Sequence, residues 1–148
     1  MAEEQAPVRV QFVCLGNICR SPLAEGVFKA QVEAAGLSDR FVIESAGTGN
    51  WHVGAPPDKR MIQTAKGHGV YLTSRGRQFD YKDFESFDHI LVMDRSNLHD
   101  VLFLDRKERF SDRVKLFREF DPEPDDYQVP GPDYGGAGGM VRRSRLVL

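Results

Sequence analysis

Cysteine is scarce in this chain of 148 residues: there are two, Cys14 and Cys19, too few for a disulfide framework. They lack the Cys-x2-Cys spacing of a zinc site, and His52, His68, His89 and His99 are scattered, so no metal is expected. An excess of one charge is also missing. Lys and Arg total 20 against 22 Asp and Glu, a net charge of -2, which gives no reason to expect nucleic acid or an anionic membrane as partner. No apolar run approaches the length needed to cross a bilayer, and Met1 to Pro7 is polar and acidic, without the apolar centre of a signal peptide. A cytoplasmic location is the expectation, and thiols stay reduced there. No repeat period is present. What remains, 41% apolar and 28% charged residues, is the balance of one globular domain long enough to bury a core.

Val8 to Val13 alternates and then turns continuously apolar, as a buried strand does. Ser21-Pro22 reads as N-cap and first residue of a helix carrying Leu23, Val27, Ala30 and Ala34 inward, with Gly36 as its stop. Phe41–Ile43 reads as a short second strand, followed by a loop from Ser45 to Gly54. Pro57-Asp58 opens a helix with Met61, Ile62 and Ala65 that closes near Gly67–Gly69. A short helix over Asp80–Phe87 points Tyr81, Phe84 and Phe87 inward. His89–Met93 fits a central parallel strand, Asp94–Asn97 starts the next helix, and Arg113–Phe117 is the last strand. Strands alternating with helices predict a parallel α/β sheet with right-handed crossovers. After Asp121 the pattern gives way to proline, aspartate and glycine, then to Gly135–Gly139 and a basic tail.

Cys14 therefore opens a strand-to-helix turn. Such a turn lies beyond the carboxyl end of a strand, where α/β proteins bind ligands, and presents unpaired N–H groups to an anion. The same field favours a thiolate. Arg20 can meet two phosphate oxygens through its planar fork, Ser21 can donate a hydroxyl to the sulfur, and Gly16 eases the turn. An isolated cysteine and arginine at this spacing would ordinarily be a buried small residue and a surface charge. The preceding strand, Gly16, Asn17 and the Ser-Pro helix start together favour an anion loop instead.

At these residues the chain resembles the low-molecular-weight protein tyrosine phosphatases, through Cys14-Leu-Gly-Asn-Ile-Cys-Arg-Ser21, Ser45-Ala-Gly47, Trp51, Pro57-Asp58, His68-Gly69, Met93-Asp94 and Asn97. The resemblance implies a three-layer α/β sandwich in which helices flank a four-stranded parallel sheet, with the phosphate loop between the first strand and first helix. It divides the chain into a flexible 1–7, a phosphatase domain over 8–136 and a Gly-rich, basic tail over 137–148. It implies that Cys14 is the nucleophile and becomes a phosphocysteine. Arg20 and the N–H groups of Leu15, Gly16, Asn17, Ile18, Cys19 and Arg20 hold the phosphoryl oxygens. Asn17 orders the loop through Ser45, and Ser21 stabilises the thiolate. Cys19 resembles a second cysteine that pairs reversibly with Cys14 under oxidation. Trp51, which could instead be a partly buried core residue, and Tyr134 resemble walls of the substrate cleft. No cofactor is implied. The partner is a phosphotyrosine-containing protein, with the chain a monomer or weak dimer.

Two departures stand out. Family members carry Asp-Pro-Tyr-Tyr where this chain has Val129-Pro-Gly-Pro-Asp-Tyr-Gly-Gly136, so Gly131 occupies the general-acid position and Asp133 an aromatic one. General acid–base work is worth about 10²- to 10⁴-fold. Either Asp133 substitutes, or the acid is missing and the chain is a weakened phosphatase or a phosphotyrosine-binding relic. Asp125 and Asp126 read as a solvated acidic loop. The family's long C-terminal helix is also absent or truncated: Met140–Leu148 would make a helix of only about 13 Å. Apolar surface is expected to be left open there, or covered by a partner. A thioredoxin-coupled arsenate reductase needs cysteines after Cys19, and there are none. Phosphoarginine-directed relatives carry threonine where this chain has Ile18.

Overall fold

The computed structural model describes residues 6–17 and 20–117. Val8–Cys14 forms β1, which is apolar on both faces: Val10, Phe12 and Cys14 enter one core cluster and Val13 the other. Arg20–Ala34 is α1 and Phe41–Gly47 is β2. Lys59–Gly67 is α2, with Asp58 as its N-cap accepting the Met61 N–H at 3.1 Å. Asp83–Ser86 is the short α3, His89–Val92 is β3, Arg95–Leu104 is α4 and Val114–Leu116 is β4.

The four strands are parallel, as the sequence leads one to expect, and lie in the order β2-β1-β3-β4. Residues of α1 and α2 (Leu23, Ala24, Val27, Met61, Ala65) pack on one face. Phe84, Phe87 and Val101, from the α3 and α4 segments, pack on the other. There Phe84 stacks on Phe110 with centroids 5.4 Å apart. Burying each such side chain contributes about 1.5–3 kcal/mol. Because β1 has β2 on one side and β3 on the other, a crevice opens at the carboxyl ends of β1 and β3. Cys14 ends one of these strands and Asp94 follows the other.

Four details correct the sequence reading. β2 runs on through Ser45, Ala46 and Gly47, because these pair with Phe12, Val13 and Cys14 rather than entering the loop. α1 begins at Arg20, so Ser21 lies inside its first turn; the hydroxyl is turned to the Cys14 sulfur instead of capping the helix. Ala34 is exposed, and Val32 takes the inward place near the end of α1. The helix stops as expected at Gly36, whose φ of +72° suits glycine, with the Leu37 N–H bonded to Val32 O at 2.9 Å. Tyr81 is 42% exposed, its ring set edge-on against Phe84 and Phe110 rather than sealed beneath them.

Among the described residues an apolar groove of about 370 Å³ lies on the α1 side of the sheet, lined by Val10, Phe12, Phe28, Phe41, Leu91 and Phe117 among others. The expectation attached to Met140–Leu148 lies outside the described residues. No helix of the described residues is long and apolar enough to cross a membrane.

Candidate active site

Cys14, the last residue of β1, is a free thiol and only 3% exposed. Among the described residues two groups are aimed at its sulfur: the Asn17 backbone N–H at 3.2 Å and the Ser21 Oγ at 3.0 Å. The turn between β1 and α1 is tight enough to place Asn17 at φ +59°, a left-handed conformation that asparagine tolerates better than most residues. The Asn17 side chain fixes that turn from three directions. Its Oδ1 accepts the Arg77 backbone N–H at 2.9 Å, and its Nδ2 donates to Ser21 Oγ at 2.8 Å and to Ser45 Oγ at 3.0 Å.

These bonds dictate where the protons point. The Arg77 N–H can only donate, so it identifies the accepting oxygen of the Asn17 amide and leaves both amide hydrogens for the two serines. Ser45 then gives its own hydrogen to Glu25 Oε1 at 2.5 Å. The Ser21 hydrogen is available to the Cys14 sulfur, with Ala46 O a longer alternative at 3.4 Å. Glu25, one helical turn beyond Ser21, is buried and bound to Lys29 at 2.6 Å. Donation thus runs outward from the Asn17 amide in two branches, through Ser21 to the Cys14 sulfur and through Ser45 to the Glu25 carboxylate, with every member satisfied.

Arg20 opens α1 and reaches across the crevice: its Nη1 meets Asp94 Oδ2 at 2.9 Å, with both side chains largely buried. The other Asp94 oxygen caps α4 by accepting the Asn97 N–H at 2.8 Å. The segment before α3 is anchored beside the loop as well. Arg77 O accepts the Gly47 N–H at 2.8 Å, while its guanidinium grips buried Asp83 through two nitrogens. That hydrogen-bonded pairing with Asp83 holds the Arg77 pKa above the ordinary arginine value. Thr48 and Gly49 donate to Cys14 O and Leu15 O, each at 2.9 Å, tying the end of β2 to the turn.

Of the residues singled out from sequence, the fold brings together Cys14, Asn17, Arg20, Ser21 and Ser45, with Leu15 and Gly16 on the turn itself. Trp51 is 69% exposed, which excludes a core role, and lines a groove together with Leu15. Ile18, Cys19, Gly131, Asp133 and Tyr134 lie outside the described residues. Sequence reasoning gave no role to Glu25 or Arg77, and read Asp94 as a helix start and a family match without pairing it to Arg20. Glu25 carried a signal in its i+4 spacing from Ser21, and Asp94 in its N-cap position after an apolar strand. Arg77 carried none.

A cysteine sulfur that ends a strand just before a helix, takes a backbone N–H and faces a hydroxyl, with an arginine at the start of that helix, is arranged to attack the centre of a tetrahedral oxyanion. The family profile described as "Low molecular weight phosphotyrosine protein phosphatase" matches residues 9–144. The low molecular weight phosphotyrosine protein phosphatase of Schizosaccharomyces pombe is 44% identical over 134 residues, 90% of this chain and 85% of its own. Among solved structures, a protein tyrosine phosphatase from Entamoeba histolytica superposes with a TM-score of 0.88 at 35% identity, covering 95% of this chain and 89% of that one. The Drosophila arginine phosphatase superposes with a TM-score of 0.85 at 32% identity, covering 94% of this chain and 90% of that one. The chain belongs to the low molecular weight phosphotyrosine protein phosphatase family.

Proposed function

We propose that this protein hydrolyses phosphotyrosine in protein substrates through a phosphocysteine on Cys14. The observation that carries this reading is the Cys14 sulfur receiving the Asn17 N–H and facing the Ser21 hydroxyl at the start of α1. In the first step the thiolate attacks phosphorus, an S–P bond forms, and the P–O bond to the tyrosine breaks. The phenolate departs with a proton. In the second step water attacks the same phosphorus, the S–P bond breaks, and inorganic phosphate leaves. Arg20 and the backbone N–H groups of residues 15–20 bind the three non-bridging oxygens and stabilise the charge that gathers on them. Asp94 anchors Arg20; with both oxygens already accepting hydrogen bonds, it is poorly placed to donate a proton. Trp51 and Tyr134 flank the phenyl ring. Cys19 forms a reversible disulfide with Cys14 under oxidation, which keeps the nucleophile from irreversible oxidation.

Asp133 donates the proton in the first step and accepts one from water in the second. It is the one carboxylate in Val129–Gly136, where Gly131 stands at the general-acid position. The test is the dependence of kcat/KM on leaving-group pKa, for wild type and Asp133→Asn. A shallow dependence in wild type that steepens in Asp133→Asn is expected. A steep dependence in both identifies a phosphatase without an acid. Binding of a phosphotyrosine peptide with no turnover, even of p-nitrophenyl phosphate, identifies a non-catalytic binder. A phosphoarginine peptide belongs in the same assay because of the likeness to the Drosophila arginine phosphatase. Tyrosine preference is expected, since Ile18 stands where arginine-directed relatives carry threonine.

A further inference from the structure

A groove of about 500 Å³ opens beside the phosphate loop. Leu15 and Trp51 line it on the side of Cys14, Asp80 and Tyr81 come from the segment before α3, and Asp100 and Leu104 come from α4. Four of the nine large apolar side chains that the described residues leave exposed are gathered here: Leu15, Trp51, Tyr81 and Leu104. Their clustering against the reactive cysteine, rather than scattering over the surface, marks a contact site. Gly49 leaves the room that Trp51 occupies in this position. A β-carbon on Gly49 would fall 1.8 Å from the indole, so only glycine lets the ring lie down over the chain.

The charge of the groove is opposite to that of the loop it adjoins. Among the described residues two carboxylates line it, Asp80 and Asp100, and no lysine or arginine does. Asp80 Oδ1 takes the Lys82 backbone N–H at 3.0 Å, which leaves acceptor capacity on that carboxylate. Arg77, whose charge Asp80 also helps to hold, is committed to Asp83. Asp100 is half exposed and has His99 Nδ1 at 4.0 Å.

We propose that this groove receives the polypeptide flanking the phosphotyrosine and selects an arginine there, set between apolar side chains. The inference rests on the proposed phosphotyrosine chemistry at Cys14. A substrate phosphate seated on the loop brings its flanking residues past Leu15 and Trp51. An acidic flank meets two like charges in the groove, whereas a guanidinium meets two carboxylates and the faces of Trp51 and Tyr81. Arginine fits better than lysine because its planar group both forks onto a carboxylate and stacks on a ring.

The test compares kcat/KM for phosphotyrosine peptides carrying Arg, Gln or Glu within three residues on either side, for wild type and the Asp80→Asn/Asp100→Asn double variant. Each exposed charge contact contributes a few-fold, so wild type is expected to prefer Arg over Glu by about tenfold on at least one side. The double variant is expected to bring that ratio close to one, and raised salt to weaken it in wild type. Equal rates on Arg and Glu peptides in wild type, or a preference that survives in the double variant, overturn the proposal. p-Nitrophenyl phosphate has no flanking chain and separates the two readings. Its hydrolysis without any peptide preference removes the groove and leaves the chemistry at Cys14 standing. Absence of turnover on every substrate removes both.

Discussion

Gln11 and Asn17 lie on the same strand and turn, both amides are sealed from solvent, and their circumstances are opposite. Asn17 at the carboxyl end of β1 has every polar atom of its side chain engaged, by Ser21, Ser45 and Arg77. Gln11 in the middle of the strand has neither its Oε1 nor its Nε2 partnered among the described residues. A buried amide left without partners costs about 1–3 kcal/mol, while a satisfied one fixes a unique arrangement. Buried polarity therefore does not identify a site by itself. What distinguishes the site is that its polar groups form one connected circuit with a definite proton direction, running outward from Asn17 to the Cys14 sulfur and the Glu25 carboxylate.

The largest break in that comparison comes from Asn17→Ala. It takes one donor from each of two serine oxygens, leaves the Arg77 N–H without its acceptor, and places alanine at a positive φ. Stability should fall by about 2–4 kcal/mol and kcat/KM by about two orders of magnitude. Thermal melts and p-nitrophenyl phosphate kinetics measure both, and an active, equally stable variant would dissolve the contrast with Gln11. Asp94→Asn comes next. It keeps the cap on α4 but withdraws the charge from Arg20, so kcat/KM should fall by about tenfold with little change in melting temperature. Gln11→Leu runs in the opposite direction. Replacing the orphaned amide with an apolar side chain of similar size should stabilise the fold by about 1–2 kcal/mol and leave kcat unchanged. A loss of stability would mean that Gln11 is satisfied in solution. Glu25→Gln should do least, under about 1 kcal/mol and less than threefold in kcat. An amide oxygen still accepts from Ser45, and the ion pair lost is to a half-exposed lysine. A tenfold loss would show that the charge, not the acceptor, sustains the circuit.

Much of the architecture is legible in the sequence because it is written locally. The alternation of Val8–Val13 with a Ser-Pro helix start places Cys14 on a strand-to-helix turn without any knowledge of the rest. Which strands pair, and over what length, is what local pattern cannot supply. The extension of β2 through Ser45–Gly47 depends on β1 lying alongside, and the residues have no strong strand preference of their own. The same holds for the supports of the loop. Asp94 is 74 positions from Arg20, and Arg77 is 60 from Asn17, so only the placement of β3 and of the segment before α3 beside β1 brings them in. Ser21 shows a subtler failure. Its helix-start signal falls within the first turn of α1, which begins at Arg20, and the hydroxyl is taken by a sulfur seven residues back rather than by the helix.

The central claim, that Cys14 carries the phosphoryl group, is tested most directly by rapid quench of a turning-over mixture with labelled phosphotyrosine peptide, followed by mass spectrometry of the peptide containing Cys14. The account predicts one phosphoryl group on Cys14 in wild type, accumulating further in Ser21→Ala as thiolate departure slows, and neither adduct nor turnover in Cys14→Ser. Turnover that persists in Cys14→Ser, or steady turnover in wild type with the label on another residue, would contradict it.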